Sequence, residues 1–155
     1  MRVKRWGAFR LAVMTFTVAA TMMMASCGDD DDDEGAIVDV TLREFTVTPE
    51  QTSAPPGLIT FVVTNAGTEE HEFLVIRTDL PPDELPTEDD GSYEEDGPGT
   101  ELIHEIEPFE PGETEQVTLT LQAGSYVLIC NLVEIDGDEV EAHYSLGMFA
   151  AFTVE

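Results

Sequence analysis

Apolar and polar residues alternate along most of the chain beyond residue 36, which is the period of half-buried β-strands. Val38, Val40 and Leu42 keep this period and, after a slip in phase, so do Phe45 and Val47, which predicts one strand with a bulge or bend. Further strands are predicted over residues 58–64, 71–78, 117–121, 126–130 and 148–154. No segment convincingly indicates a helix. Short, closely spaced strands predict an all-β, antiparallel Greek-key β-sandwich of about seven or eight strands.

Two segments interrupt this pattern. Residues 80–100 contain four prolines and many acidic residues, which predicts a long, partly mobile loop. Residues 133–140 alternate between apolar and acidic around Asp136-Gly137, which is a strong hairpin signal. The predicted acidic hairpin is a docking surface, a lid or simply a tolerated insertion, and the last of these is the default.

The chain begins with a different pattern. Positive residues up to Arg10 precede an apolar run over residues 11–24, which predicts a secretory signal peptide at residues 1–26. The run is short for a bilayer span of roughly 20 residues. Residues 24–27, Met-Ala-Ser-Cys, resemble the lipobox of bacterial lipoproteins, which implies that Cys27 is lipidated and becomes the mature N-terminus. An ordinary secretory signal that happens to contain a cysteine is the alternative.

The acidic run over residues 29–34 cannot pack, so residues 27–36 are predicted to form a disordered tether before a single domain at 37–155. With the lipid, this arrangement predicts an exported protein anchored to the cell membrane and facing the periplasm or the exterior.

Charge limits the partners. The chain has 33 acidic residues and 6 Lys or Arg, and four of the six lie in the signal segment, so the remainder carries 2 − 33 = −31. Such a chain will not bind nucleic acid non-specifically, since that requires Lys and Arg against phosphate. It should repel anionic lipid and be steered toward partners with a basic docking face.

Cysteine usage points to a metal. If Cys27 carries lipid, Cys130 has no partner, and an unpaired thiol in an oxidising compartment needs an explanation. A buried, inert thiol is one explanation, and metal ligation is the other. His71 begins a predicted strand, Cys130 ends one, and His143 and Met148 lie in the connection to the last strand. A sandwich could bring all four to one end.

These residue types suit copper. A thiolate and two imidazoles with a weak axial thioether are the ligands of a blue-copper electron carrier. A structural zinc site would more often have four strong ligands with paired Cys or His at short spacing.

Four motifs resemble the cupredoxins, in particular the plastocyanin-like blue-copper proteins. They are Asn-Ala-Gly at 65–67, His-Glu-Phe at 71–73, the run 126–132 ending in Cys-Asn-Leu, and His-Tyr-Ser-Leu-Gly-Met at 143–148. The resemblance covers residues 37–155 and implies a single copper ion on His71, Cys130, His143 and Met148.

Two departures from the resemblance stand out. The connection from Cys130 to His143 is enlarged by the predicted hairpin. Glu72 stands where the best-known carriers have an Asn that pins the ligand loops by hydrogen bonding, and Asn131 could partly take over that role. Tyr144 and Leu146 lie between the implied ligands and are expected to line the rim of the site.

The resulting expectation is a monomeric type 1 blue-copper protein that transfers single electrons to redox partner proteins at the outer face of the membrane. Storage or delivery of copper outside the cytoplasm is the alternative, and a metal-free binding module is a third reading. An enzyme is not expected, because multi-site copper oxidases need further histidine clusters and this chain has three histidines. The third of these, His104, lies outside every ligand motif and is expected to be a surface histidine or one whose hydrogen bonds are satisfied.

Overall fold

The computed structural model describes residues 35–137 and 139–155, without the side chain of Asp136. The predicted signal segment, Cys27 and nearly all of the predicted tether lie outside these residues. Within them, no helix is long and apolar enough to cross a membrane. The strands are β1 Ala36–Arg43, β2 Thr46–Pro49, β3 Ser53–Ala54, β4 Gly57–Asn65, β5 His71–Thr78, β6 Thr100–Phe109, β7 Thr114–Leu121, β8 Gly124–Ile129, β9 Val133–Asp136, β10 Glu139–Ala142 and β11 Phe149–Val154, with one helix, α1 His143–Leu146.

Two sheets form a β-sandwich, which confirms the predicted all-β fold class. One sheet has the order β2-β1-β4-β7, the other has the order β3-β11-β8-β5-β6, and β9 and β10 form a separate hairpin. The expectation of a purely antiparallel sandwich is wrong, since β1 pairs with β4 and β3 pairs with β11 in parallel. The described residues also form more strands than predicted, because short strands flank the longer ones.

The slip in phase near residue 44 is a complete reversal of the chain. Arg43 pairs with Thr46 across a turn at Glu44 and Phe45, so β1 and β2 form an antiparallel pair. The prediction of one bent strand is therefore wrong. The alternation persists because both strands bury the same face, with Leu42 and Val47 paired and buried. The turn carries Glu44 and Phe45 to one end of the sandwich.

The main core lies between the two sheets. Alternating residues of β1, β4, β5, β8 and β11 supply it, and the ring of Phe61 contacts those of Phe73 and Phe152 at centroid distances of 5.6 and 5.4 Å. Full burial of such side chains contributes about 1.5–3 kcal/mol each. Because successive strand residues point to opposite faces, Leu74 and Ile76 of β5 leave this core and face outward.

A second, smaller core covers the outer face of the five-stranded sheet. Leu85 and Tyr93 of the acidic loop pack there with Leu74, Ile76 and Tyr144. The loop over residues 80–100 is therefore anchored by buried side chains. This packing also corrects the expectation that Tyr144 lines the rim of the site, since its hydroxyl accepts from the Leu85 N–H and donates to the Pro82 carbonyl. Leu146, the other residue that was expected at the rim of the site, is 47% exposed.

Candidate metal centre

His71 is the first residue of β5 and is fully buried. Its backbone is opposite Phe109 of β6, and the β5 alternation points His71, like Phe73, toward the main core. His71 therefore sits where the core reaches the end of the sandwich.

Cys130 directly follows β8, the central strand of its sheet, and is also fully buried. Its backbone N–H donates to the Met148 carbonyl at 3.1 Å. The Glu72 backbone N–H points at the Cys130 sulfur at 3.4 Å. The sulfur is therefore in contact with β5, and the Cys130 backbone is attached to Met148, the residue just before β11.

The connection from Cys130 to His143 contains the predicted hairpin. Glu139 pairs with Asp136 and Ala142 with Val133, and Gly137 in the turn has a φ of 67°, a backbone conformation that favours glycine. The hairpin is closed at its base, because the His143 N–H donates to the Leu132 carbonyl at 2.9 Å. The insertion therefore leaves His143 next to the strand end that carries Cys130.

His143 begins α1, a single helical turn that the sequence analysis did not find. Gly147 ends this turn with a φ of 119°, and the Met148 N–H donates to the His143 carbonyl at 3.0 Å. The tight turn places Met148, which is fully buried, directly beside Cys130. The backbone thus brings Met148 to the cluster, while the role of its thioether stays a prediction.

Three ligand atoms converge at this point. The Nδ1 atoms of His71 and His143 are 3.2 Å apart, and the Cys130 Sγ is 3.8 Å from the first and 3.4 Å from the second. Two nitrogens at about 2.0 Å and a sulfur at about 2.3 Å from one ion in their plane would stand about 3.5 Å (N–N) and about 3.7 Å (N–S) apart. The triangle therefore fits one metal ion.

The protonation of the three groups suits a metal. Burial, followed by the neighbouring His143, lowers the pKa of His71, and burial lowers the pKa of His143. Both imidazoles are then neutral near pH 7 and can offer a lone pair. Burial raises the pKa of the Cys130 thiol to about 12, so a metal that binds this sulfur would release its proton.

The outer nitrogens of both rings face carboxylates. The His71 Nε2 is 3.3 Å from the Glu44 Oε1, and the His143 Nε2 is 3.8 Å from the Glu69 Oε2. Metal-bound histidines commonly donate their second N–H to a carboxylate, which fixes the tautomer that leaves the first nitrogen free. The arrangement at His71 therefore favours Nδ1 as the ligand atom.

Glu44 is itself fixed in place. Its Oε1 accepts the backbone N–H groups of Thr68 and Glu69 at 2.6 and 2.9 Å. Burial alone would raise the pKa of Glu44, but these N–H groups, that of Glu44 itself and His71 outweigh burial and bring the pKa to about 2. A Cβ at Gly67 would collide with the Glu44 carboxylate and the His71 ring, so this approach needs glycine.

Sequence reasoning missed Glu44 and Phe45, whose ring packs edge-on against His143 at 5.3 Å between centroids. The slip in the apolar–polar alternation near residue 44 was the sequence signal for the turn that carries them, and it was interpreted as a bulge or bend in one strand. His104 lies in β6 opposite Val75, away from the triangle, as expected.

Asn131 does hold a loop, although a different one from the loop that was expected. Its side chain accepts the Tyr93 N–H and donates to the Tyr93 carbonyl, which attaches the acidic loop beside Cys130. Glu72 is buried, with 8% of its surface exposed. Burial first, and then Glu105, raise the pKa of Glu72 to about 7.

No protein-family profile and no curated protein sequence matches the chain. Solved structures do resemble it, and together with the sandwich topology they show that it has the cupredoxin fold. The resemblance that carries this conclusion is to the dithionite-reduced auracyanin of the photosynthetic bacterium Roseiflexus castenholzii. The TM-score is 0.52 at 22% identity, over 78% of this chain and 99% of that one.

Two further structures are similar over most of their length. Auracyanin A of Chloroflexus aurantiacus, described as a "blue" copper protein, has a TM-score of 0.49 at 18% identity, over 77% of this chain and 98% of that one. Rusticyanin of Thiobacillus ferrooxidans has a TM-score of 0.45 at 20% identity, over 78% of this chain and 79% of that one.

Proposed function

We propose that this protein binds one copper ion through His71, Cys130 and His143, with Met148 as the weak axial ligand, and transfers single electrons. The observation that carries the proposal is the buried triangle of two Nδ1 atoms and one Sγ, with sides of 3.2, 3.4 and 3.8 Å. A trigonal His₂Cys set with a nearby methionine is the blue-copper arrangement. The copper ion, when bound, supplies the Cu(II)/Cu(I) couple.

The protein's own groups prepare the site for this role. All four side chains have no exposed surface, so water is kept from the ion. The strand positions of His71 and Cys130 and the Glu44 carboxylate hold the ligands in one geometry, which should keep reorganisation between oxidation states small. Four protein ligands leave no open position for a substrate, which supports a carrier rather than an enzyme.

The copper site can be tested by colour. Addition of one equivalent of Cu(II) to the purified protein should produce an intense visible absorption from thiolate-to-copper charge transfer. Cys130→Ser and His143→Ala should remove it, whereas His104→Ala, the matched control at the third histidine, should retain it. A colourless protein after Cu(II) addition would refute the proposal.

Full burial of the ligands favours electron transfer over copper delivery, because a delivery protein must release its ion easily. Voltammetry of the copper-loaded protein should therefore show a reversible one-electron couple. The copper should also remain bound during dialysis against a moderate chelator. Rapid loss of copper together with a slow electrode response would favour storage or delivery instead.

The proposed location is the outer face of the cell membrane, with the chain attached through lipid on Cys27. The support is the signal-like N-terminal sequence, the Met-Ala-Ser-Cys motif and the acidic run that follows. The intact mass of the membrane-extracted protein should equal that of a chain that begins at Cys27 plus the mass of a lipid. Cys27→Ala should abolish the added mass, and Ser26→Ala should keep it. A soluble mature chain without added mass would refute the anchor.

A further inference from the structure

A second cluster of potential metal ligands lies on the outer side of the His143 ring. Ligand atoms of Glu69, Glu134 and His143 lie within 4.8 Å of one another. His143 is fully buried, and its Nε2 has no hydrogen-bond partner among the described residues, nor does the buried Glu69 Oε2. Two buried polar atoms therefore face each other with their bonding capacity unused, which is costly unless something binds between them.

The distance between these two atoms distinguishes a direct hydrogen bond from a metal ion bound between them. The His143 Nε2 and the Glu69 Oε2 are 3.8 Å apart, which exceeds the usual 2.7–3.2 Å of a direct N–H···O hydrogen bond. A nitrogen and an oxygen bound to the same transition-metal ion stand about 3 to 4 Å apart, as follows from bonds of about 2.0–2.2 Å. The gap therefore fits a shared ion better than a direct bond.

The hairpin formed by β9 and β10 supplies the third ligand and further negative charge. Glu134 and Glu141 are directly opposite each other in this hairpin, and like charges in that relation repel. Ile135 and Val140, the paired residues on the other face, are 71% and 50% exposed. The hairpin therefore turns carboxylates toward His143 and apolar side chains toward solvent, an orientation that a cation between the carboxylates would explain.

No basic side chain in the described part of the chain neutralises this cluster. Arg43 and Arg77 are the only Lys or Arg beyond the predicted signal segment. Among the residues that the structure describes, neither forms an ion pair with Glu69, Glu134 or Glu141.

We propose that Glu69, Glu134 and the Nε2 of His143 form a second metal site for a divalent transition-metal ion, with Glu141 adding charge nearby. Two carboxylates and one imidazole suit Mn(II), Co(II) or Zn(II). This site is distinct from the proposed copper site, although both use His143. The neutral imidazole has one free lone pair, so His143 binds one ion at a time through Nδ1 or Nε2, and it binds two ions together only after its ring N–H proton is released. The second site gives the insertion between Cys130 and His143 a function as a source of ligands.

Mn(II) is the suitable probe, because oxygen ligands suit it and thiolate does not, so it discriminates against the triangle around Cys130. The titration uses copper-free protein with a reductant, in about 1 M NaCl, where the Debye length of about 3 Å suppresses diffuse binding to an acidic surface. The loss of the free Mn(II) electron paramagnetic resonance signal counts bound ions. Selective broadening of the His143 ring resonances by substoichiometric Mn(II), with those of His104 much less affected, locates the ion.

The expected result is one Mn(II) per chain, with affinity lowered at least about tenfold in Glu134→Gln and in Glu69→Gln. Glu139→Gln, an exposed carboxylate on the same hairpin, is the control and should bind as the unaltered protein does. Absence of a stoichiometric ion, or equal weakening in Glu134→Gln and Glu139→Gln, would overturn the proposal. Because copper is absent throughout, the result is independent of the proposed copper site.

Discussion

The two histidines of the triangle have the same burial and present the same ring nitrogen, but the chain holds them in different ways. His71 begins a strand that pairs with neighbours on both sides, and its outer nitrogen is 3.3 Å from a carboxylate fixed by two backbone N–H groups. His143 begins a four-residue helix after an inserted hairpin, and its outer nitrogen is 3.8 Å from Glu69. One half of the centre is built on a sheet and the other on a loop.

This contrast shows how the loop half can carry an insertion. The hydrogen bond from the His143 N–H to the Leu132 carbonyl closes the hairpin at its base, so we expect the length of the hairpin to have little effect on the position of the ring. The sheet half has no such freedom, because moving His71 would disturb its pairing with β6. Changes on the His71 side should therefore have the larger effects.

The largest effect is expected at Glu44. Glu44→Ala removes an acceptor of two backbone N–H groups and a carboxylate whose pKa is about 2 instead of 4.5. Because this carboxylate is partly exposed, solvent screening reduces the contribution of the shift, and the loss near pH 7 should be about 2–3 kcal/mol. Because the pKa is lowered by folding, this contribution is present above pH 4.5 and disappears as the pH falls toward 2. Denaturant unfolding at several pH values measures it.

The matched control for Glu44 is Glu70→Ala, an exposed acidic residue in the same loop region. Its effect on stability should stay within about 0.5 kcal/mol. If the two variants lose equal stability, or if the Glu44→Ala loss is the same at pH 7 and pH 3, the account of Glu44 as the fixed support of His71 is wrong.

The second-largest effect is a gain in stability, and it is expected when Glu72 is substituted. Its pKa of about 7 exceeds the usual 4.5, so folding holds its proton more tightly, and stability is lost as the pH rises from about 4.5 through 7. Glu72→Gln should therefore stabilise the metal-free protein by about 2 kcal/mol at pH 8, because the roughly 3 kcal/mol of relieved charge burial is partly offset by a buried amide.

The Glu72→Gln gain should vanish near pH 3, where the carboxyl is protonated in both the folded and the unfolded state. Unfolding midpoints at the two pH values measure the difference, with Glu70→Gln as the exposed control. A gain that does not depend on pH would contradict the buried, titrating carboxyl.

A smaller effect is expected at Asn131. Asn131→Ala removes both hydrogen bonds to the Tyr93 backbone, which should cost about 1–2 kcal/mol. The loss should appear as faster hydrogen exchange in residues 80–100, since Asn131 anchors that loop beside Cys130. Unchanged exchange there, with faster exchange at the triangle instead, would show that Asn131 supports the ligands directly.

The smallest effect on stability is expected from shortening the hairpin. Replacing residues 134–141 by two glycines keeps Val133, Ala142 and the hydrogen bond at the base, so the free energy of unfolding should change by less than about 1 kcal/mol. The visible absorption with Cu(II) should persist, while stoichiometric Mn(II) binding should be lost. Loss of the copper colour would mean that the hairpin itself holds His143 in position.

The sequence predicted the parts of the molecule that rest on local patterns. The β5 strand from His71 to Thr78 and the hairpin at 133–140 appear where alternation and Asp-Gly indicated them. The copper ligands were predicted by residue type and motif, and the structure gathers three of them within reach of one ion. Their role as ligands stays a prediction until metal binding is measured.

The remaining features depend on contacts between distant parts of the chain. The parallel pairing of β1 with β4 and the approach of Glu44 to His71 join residues that are far apart in sequence, and no local pattern records them. The second core was missed for the same reason, because Leu85 and Tyr93 are isolated apolar residues in an acidic, proline-rich stretch. Their partners are on the outward face of β5 and β8 and in the side chain of Tyr144.

The burial of Cys130 also affects the lifetime of the protein before it acquires a metal. A thiol with a pKa of about 12 and no exposed surface is almost entirely protonated at neutral pH, and it is out of reach of peroxide, disulfides and alkylating reagents. The folded, metal-free chain should therefore resist oxidative inactivation and remain competent for later loading. The rate at which it is oxidised in air is then limited by how often the end of the sandwich opens and exposes Cys130.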